Sequence, residues 1–292
     1  MATTVLSLVE EIRDQLGDYG EAVTALSAAM DTTGTTATVT ASTGFETNGF
    51  AYCEFEAMEV TATGSASLTV RRAARGTAAA AHNLGSVVRY NLTWGNNLIL
   101  TKLNEALDAA YPELYALVDD SDSLVTVADQ YVYELPSSID RLYQVNIESD
   151  AVSGVYIPCN AWEMKDADHI RIFNINQFTA GNAIELVGIA PFAAGTASGN
   201  LDANFPIADG NAKGYLIAET IGRLLMVPQA RIARRDSFVG KTDGWDQGQP
   251  YMSMAVAREY MKQAKEFKVK ARMPLPAHSL PNPGRSFLYA GQ

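Results

Sequence analysis

Three histidines are the first side chains to test for chemistry, because imidazole is a common general base and metal ligand. They are His82, His169 and His278. No two of them have metal-ligand spacing, and the sequence contains no HExxH, GxSxG or Walker A motif. Asp166 and Asp168 beside His169 could form an acid–base cluster if a cleft held them. The alternative, which we favour, is a polar turn before the strand-like run His-Ile-Arg-Ile-Phe.

Metal and redox chemistry is not indicated elsewhere in the chain. The acidic run 119–123 lacks the regular oxygen spacing and the terminal Glu of a calcium loop, so we predict a solvated linker there. Two cysteines, Cys53 and Cys159, are too few for a disulfide framework or a metal site. Cys53 is expected to be a small core residue. The sequence therefore predicts no enzyme, no cofactor and no metal.

The distribution of charge is the stronger functional signal. The formal net charge is −11 and the pI about 4.8, which makes the whole molecule a poor binder of polyanions. Residues 255–292 nevertheless carry seven basic side chains against two acidic ones. This asymmetry predicts an acidic body with a basic C-terminal region.

Most of those cations belong to a predicted last helix that begins near Tyr251. Its apolar face is predicted to be Met252, Val256, Tyr260, Gln263 and Phe267, and the opposite face Arg258, Lys262, Lys265, Lys268 and Arg272. Such a face could contact nucleic acid phosphates, but no aromatic stacking pattern accompanies it. A membrane surface is disfavoured by the lack of Trp and bulky apolar anchors. A solvated face is the default, and contact with an acidic neighbouring subunit is the interpretation we prefer.

Composition indicates an ordinary globular protein. The chain has 292 residues, of which 47% are apolar and 19% charged, so it can bury a core. No apolar run approaches the roughly 20 residues that span a bilayer. The N-terminal residues lack the basic segment of a signal peptide, so we expect the product to stay in the cytoplasm of the producing cell.

Helical periodicity occurs in four places. Val5, Leu8, Val9, Ile12 and Leu16 predict a first helix, capped by Thr3 or Thr4 and ended by Gly17 or Gly20. A second helix follows an Asn cap near residue 96 and runs to Val118, with Pro112 kinking or restarting it. A third is capped by Asp209 or Asn211 and ended by Pro228. The last helix is the basic one.

Period-two alternation marks two β-rich stretches. Residues 36–90 alternate between apolar and polar and are divided by glycines, with Gly64-Ser65 as a hairpin turn. Further strand-like runs lie between Leu124 and Ala190. Beyond Arg272, four prolines predict an extended arm that ends in Phe287, Leu288 and Tyr289.

Together these patterns predict an α+β fold: a bundle of about four helices with an inserted small β-module and a second β-rich segment. The predicted boundaries are 1–35 and 91–120 for the first part of the bundle and 36–90 for the module. Residues 121–205 form the β-rich segment, 206–272 the second part of the bundle and 273–292 the arm.

The order of residues in the module resembles a small β-module of tailed-bacteriophage virion proteins. The residues that carry the resemblance are Gly44, Phe45, Gly49, Glu56, Met58, Val60, Thr61, Leu68, Val70, Arg75, Gly76, Thr77, His82, Gly85 and Val88. The run Arg71-Arg72-Ala73-Ala74-Arg75 departs from the single Arg-Gly pair usual there, so we expect a longer turn before Gly76. A second resembling motif is Tyr133-Glu134-Leu135-Pro136, a strand end that leads into residues 142–147.

The predicted layout resembles the head-to-tail adaptor, or connector, proteins of the phage neck. That resemblance implies a structural virion protein, assembled in the host cytoplasm, that forms a homo-oligomeric ring, usually twelvefold, below the portal protein. Its implied partners are the portal and the next tail or neck protein, with DNA only in passage and no membrane. The basic residues Arg258, Lys262, Lys265, Lys268 and Arg272 and the arm residues Phe287, Leu288 and Tyr289 would form subunit or portal contacts. The alternative is another tail component, a nozzle or a fibre-associated protein.

Overall fold

The computed structural model describes residues 4–150, 154–197, 199–226 and 249–276, with the side chains of the last helix from Met254 onward. The chain divides into two compact units. The first comprises Met1–Ala109 and Ala193–Ala271, and the second Ala110–Phe192 and Arg272–Gln292. Each unit contains a hydrophobic core of its own.

A six-stranded antiparallel sheet is the main β structure of the first unit. Its strands, in chain order, are β1 (Ala22–Ala25), β2 (Thr36–Thr38), β3 (Phe50–Cys53), β4 (Glu56–Thr63), β5 (Ser67–Ala74) and β6 (Val87–Tyr90). Their order across the sheet is β1-β6-β3-β4-β5-β2. The predicted hairpin at Gly64-Ser65 joins β4 to β5 and is confirmed, with the Gly64 amide donating to the Ser67 carbonyl over 2.8 Å.

The sheet curls until its two edge strands meet. Leu26, just after β1, forms a bridge with Val39, just after β2, and the Ser27 amide donates to the Thr38 carbonyl over 2.9 Å. The inward side chains fill the space thus enclosed. These fully or almost fully buried residues are Leu26, Met30, Ala37, Val39, Phe45, Ala51, Cys53, Met58, Val60, Leu68, Val70, Val88 and Tyr90. Curling removes most of the open edge that a flat sheet would leave.

Four helices complete the described part of the first unit: α1 (Val5–Leu16), α2 (Asn96–Ala110), α3 (Gly210–Met226) and α4 (Gln249–Ala271). The predicted first helix is confirmed with both caps. Thr4 Oγ1 accepts the Ser7 amide over 3.1 Å, and Gly17 adopts the left-handed conformation at φ 66°.

The α3 and α4 helices pack closely through small residues. A Cβ on Gly222 would lie 2.6 Å from Met261 Sδ, and one on Gly214 would lie 3.2 Å from the Phe267 ring. The α4 residues that are buried, Ala257, Ala264 and Ala271, recur every seven residues. The predicted apolar face of α4 was therefore wrong at Val256, which is 44% exposed, and at Gln263, which is exposed. Alanines carry a weak hydrophobic signal, yet they permit the close approach of the two helices.

The second unit consists of two smaller antiparallel sheets. Its strands are β7 (Ala116–Val125), β8 (Val132–Glu134), β9 (Arg141–Glu148), β10 (Tyr156–Pro158), β11 (Trp162–Met164), β12 (His169–Ile172) and β13 (Ala183–Ala190). One sheet has the order β10-β9-β13-β7 and the other β11-β12-β8. The motif Tyr133-Glu134-Leu135-Pro136 thus ends the edge strand β8. Aliphatic and aromatic side chains from both sheets form one core.

Two predicted segments take a different structure here. The α2 helix ends at Ala110 rather than reaching Val118, which lies in β7. The acidic run 119–123 is part of the same strand and not a linker. A bulge in the β7–β13 pairing accommodates it, and the Asp120 carboxylate accepts the amides of Asp122 and Ser123 over 3.2 and 3.0 Å.

The predicted fold class was wrong as well. The described residues form thirteen strands in three sheets and four α-helices, so the protein is mostly β and not a helical bundle with a small β insertion. The strand β1 lies on a segment that was predicted to belong to the bundle, and β7 begins on a segment that was predicted to be helix. Both exist because they pair with distant strands, β6 and β13, and a local pattern does not record that pairing.

Candidate functional site

The motif that carries the resemblance surrounds one buried carboxylate, Glu56 on β4, which is 1% exposed. Arg72 on β5 donates Nε to Glu56 Oε1 and Nη2 to Oε2, each over 2.6 Å. The backbone amides of Ala73 and Ala80 donate to the same carboxylate, each over 3.1 Å. Glu56 thus has a bidentate ion pair and two backbone donors, which is the kind of arrangement that a buried charge requires.

His82 extends this network. Its Nε2 lies 2.9 Å from Glu56 Oε2 and its Nδ1 lies 3.1 Å from Glu54 Oε2, while Ser86 Oγ donates to Glu54 Oε1 over 3.0 Å. The His82 side chain is completely buried, and its backbone pairs in both directions with Met30. Because both ring nitrogens are engaged, the imidazole has no free nitrogen for a metal or a substrate. We call Glu54, Glu56, Arg72 and His82 the Glu56 network.

Arg72 is not among the motif residues, which include Arg75 instead. The remaining Arg72 donors reach three backbone carbonyls, those of Asp31 at 2.6 Å, Gly34 at 3.0 Å and Ala80. Arg75 lies outside this network, with its guanidinium 3.9 Å from the centroid of the Phe50 ring. A signal was available, since Arg72 continues the inward alternation of Leu68 and Val70. An arginine at an inward position requires a buried anion.

The electrostatics of Glu56 follow from these contacts. Burial alone would raise its pKa, because an apolar surrounding disfavours the charged form. The hydrogen bonds from Arg72, from the Ala80 amide, from His82 and from the Ala73 amide outweigh that effect and lower the pKa to about 2. Glu56 is therefore held as a carboxylate at neutral pH, which makes it unsuited to accept a proton as a general base.

Other motif residues have packing and turn roles. The Thr77 hydroxyl accepts the Ala57 amide over 3.1 Å and donates to the Ala74 carbonyl over 2.8 Å. A Cβ on Gly49 would lie 1.8 Å from the Tyr90 hydroxyl oxygen, so only glycine fits there. Gly76 has φ +75°, a conformation that favours glycine. The motif therefore specifies how this barrel-like sheet folds.

The candidate acid–base cluster of the second unit is a surface turn, as predicted. Asp166 Oδ1 lies 2.7 Å from His169 Nδ1 and accepts the Asp168 amide over 3.0 Å. The hydrogen bond from His169 lowers the pKa of the exposed Asp166 carboxyl. The strand β12 begins directly at His169. These contacts close the turn that leads into β12.

The two cysteines and one cleft are further places to look for chemistry. Cys53 and Cys159 are free and buried, which confirms the core position predicted for Cys53, and burial raises the pKa of both thiols. A cleft of about 190 Å³ lies between residues 126–129 and 175–180 and contains one titratable side chain, Asp129. It is smaller than the roughly 300–1,000 Å³ of ordinary ligand pockets. Across the ranges that the structure describes, no group of three His, Cys, Asp or Glu residues is arranged to hold a metal ion.

The predicted basic residues of α4 separate into two groups. Arg258, Lys262 and Lys265 are exposed and form no ion pair with any described residue. Lys268 is half-buried, donates to the Ala109 carbonyl at the end of α2 over 2.6 Å, and lies 5.9 Å from the centroid of the Tyr215 ring. Lys268 therefore fixes α4 to its own unit rather than extending the free basic face.

The remaining predicted contact residues lie past the helix. Arg272 follows the end of α4 and is exposed, whereas Phe287, Leu288 and Tyr289 lie outside the described residues. The first residues of the predicted arm belong to the second unit and contact its residues 113–115. The Met273 amide donates to the Glu113 carbonyl over 3.0 Å, and the Tyr115 hydroxyl donates to the Pro274 carbonyl.

Negative charge is concentrated in residues 110–192 of the second unit. This segment contains thirteen carboxylates against three basic side chains, a formal charge of −10 out of −11 for the whole chain. On β7, an edge strand of its sheet, Asp119 and Asp122 are exposed. The protein thus presents an acidic surface on one unit and a basic helix face on the other.

Neither the described helices nor comparisons with known proteins assign the chain to a class. None of the helices in the described ranges is long and apolar enough to cross a membrane. A scan of the sequence against protein-family models finds no match, and a search of curated proteins finds no similar sequence.

Proposed function

We propose that this protein is a structural component of a tailed-bacteriophage virion, a head-to-tail adaptor. In this role it forms a homo-oligomeric ring below the portal protein, extends the channel through which DNA passes, and provides the docking surface for the next tail or neck protein. It assembles in the host cytoplasm and resides in the neck of the virion.

The Glu56 network is the observation that carries this proposal. The residues through which the module resembles phage virion proteins include Glu56 and His82, whose contact lies inside the barrel-like sheet, and Thr77, which holds the turn after β5. A motif whose side chains bond to one another inside a sheet stabilises the fold and does not perform chemistry. A decoration module of a virion protein needs such a stable fold. The function then belongs to the surfaces that the fold presents.

The charge distribution supports the same role. A channel wall that carries negative charge repels the phosphate backbone and limits adhesion of DNA during passage. The carboxylate-rich segment 110–192 can supply such a wall. The exposed cations of α4 leave a second, oppositely charged surface for contacts between proteins.

Negative-stain electron microscopy and sedimentation of the purified chain, alone and with the portal protein of the same virion, test the proposal. An adaptor is expected to form rings on the portal, with a mass near twelve times the 31.4 kDa of one chain. Portal protein alone is the control for rings that the portal itself contributes. Assemblies of another symmetry, without affinity for the portal, would instead favour a nozzle or a fibre-associated component.

A further inference from the structure

We propose that the exposed cations of α4 bind the acidic strand β7 of a second copy of this chain. This inference rests on the proposed function, because it names the contact that would build the ring. The basic stripe is defined as Arg258, Lys262, Lys265 and Val269. The acidic edge is defined as Leu117, Asp119, Asp122 and Val125 of β7.

The basic stripe is one continuous line on α4. Its four residues are separated by four, three and four positions, so they lie above one another on the helix surface. They lie on a flank of the helix beside Ala257 and Ala264, which are buried. Val269 continues the line and is 76% exposed. A large exposed aliphatic side chain in line with three cations suits a contact surface better than a purely solvated face.

The acidic edge has matching features. β7 lies at the end of the strand order of its sheet, so one side of its backbone has no strand partner among the described residues. Asp119 and Asp122 are exposed between Leu117 and Val125, which are 51% and 48% exposed. Asp122 lies in the bulge held by Asp120, and Asp119 lies directly before it.

The two surfaces agree in charge and in composition. The bulge shortens β7 between Asp120 and Leu124, so the two aspartates belong to one short acidic segment. Seven residues of helix separate Arg258 from Lys265, which is about 10 Å. Two carboxylates can therefore face the cationic segment, with exposed aliphatic side chains beside them on both surfaces.

The two surfaces lie on different parts of the chain, which determines the kind of assembly. A contact between unlike surfaces is heterologous, so a pair of copies keeps one free surface of each kind and can bind further copies. Repetition of such a contact produces a ring when the rotation closes. Because exposed charges are screened beyond about 8–10 Å at physiological ionic strength, the association is expected to weaken as salt rises.

A charge-exchange experiment tests this contact. The helix variant combines Lys262→Glu with Lys265→Glu, and the strand variant combines Asp119→Lys with Asp122→Lys. Sedimentation velocity at low and at moderate salt measures self-association. Each variant alone is expected to lower the association constant at least about tenfold, because like charges then face each other. An equimolar mixture of the two variants is expected to restore assembly, since both contacts in the mixture pair opposite charges.

A control variant and a folding measurement make the result specific. Arg71→Glu reverses an exposed cation of β5 that belongs to neither surface, and is expected to leave self-association unchanged. Far-UV circular dichroism should show that all variants keep the wild-type fold, because the exchanged side chains are exposed.

Several outcomes would overturn the proposal. These are a wild-type chain that stays monomeric at high concentration and low salt, an assembly indifferent to reversal of either surface, and variants that do not complement each other on mixing. Loss of binding to duplex DNA in the helix variant, with self-association intact, would assign the stripe to nucleic acid instead. Closed dimers that depend on both surfaces would keep the contact but contradict the adaptor ring. Rings that ignore both surfaces would keep the adaptor and contradict the contact.

Discussion

Replacing Glu56 by Gln should open the barrel-like sheet of the first unit far more often than in the wild type. The substitution keeps the size of the side chain but removes the charge that Arg72 and His82 contact at 2.6 and 2.9 Å. Arg72 would then remain largely buried, with backbone carbonyls as its acceptors. Loss of one partner from a buried ion pair costs roughly 3–5 kcal/mol, because the other charge stays behind without compensation.

Cys53 provides a local assay for this opening. Its thiol lies in the core of the same sheet, completely buried, and burial raises its pKa to about 12. In a Cys159→Ala background, the rate at which a thiol reagent labels Cys53 at fixed pH therefore reports how often the sheet opens. A loss of 3–5 kcal/mol corresponds to an increase in labelling between about a hundredfold and a few thousandfold.

Glu59 is the matched control on the same strand. It forms an ion pair with Arg71, whose side chain is 74% exposed. Exposed ion pairs contribute less than about 1 kcal/mol, so Glu59→Gln should raise the labelling rate less than about fivefold. Equal small effects of the two substitutions would refute the assignment of Glu56 as the central charge of the network.

A double variant separates the ion pair from other effects of the substitution. If Glu56→Gln acts by stranding Arg72, then adding Arg72→Met should recover part of the loss, because no buried charge is then left alone. The combined variant would be less destabilised than the sum of the two single variants. Simple additivity would show that Glu56 and Arg72 stabilise the sheet independently.

Three further predictions concern pH and helix packing. Because the pKa of Glu56 is lowered to about 2, its contribution to folding stability should be present above about pH 4.5 and be lost as the pH falls from there towards 2. Urea unfolding followed by circular dichroism should show that loss of stability in the wild type and not in Glu56→Gln. Gly222→Ala should destabilise by about 1–3 kcal/mol in thermal unfolding, since its Cβ would lie 2.6 Å from Met261 Sδ, whereas Gly210→Ala, whose Cβ meets open space, should be neutral or stabilising. Thr4→Ala removes the acceptor for the Ser7 amide and should lower the free energy of unfolding by about 1 kcal/mol. Thr4→Ser keeps a hydroxyl acceptor and should retain most of that stability.

The sequence by itself located features whose cause is local. The first helix begins at the Thr4 cap and ends at Gly17, as its periodicity and cap residues predict. The hairpin at Gly64-Ser65 and the turn before His169 were also predicted, because the signals for turns lie within a few residues. The exposure of Arg258, Lys262 and Lys265 likewise agrees with their charge.

Only the tertiary structure decided features that depend on distant partners. The short strand β1 exists because it pairs with β6, so local alternation could not show that the sheet extends beyond the predicted module. The acidic residues of β7 resemble a linker in sequence, but pairing with β13 makes them a bulged strand. The close approach of α3 determines which side of α4 is buried: Ala257, Ala264 and Ala271 lie on that side, and Val256 does not. Glu56, Arg72 and His82 lie 16 and 10 residues apart in sequence; the pairing of β4 with β5 brings Glu56 and Arg72 together, and the bridge between His82 and Met30 holds the imidazole beside them.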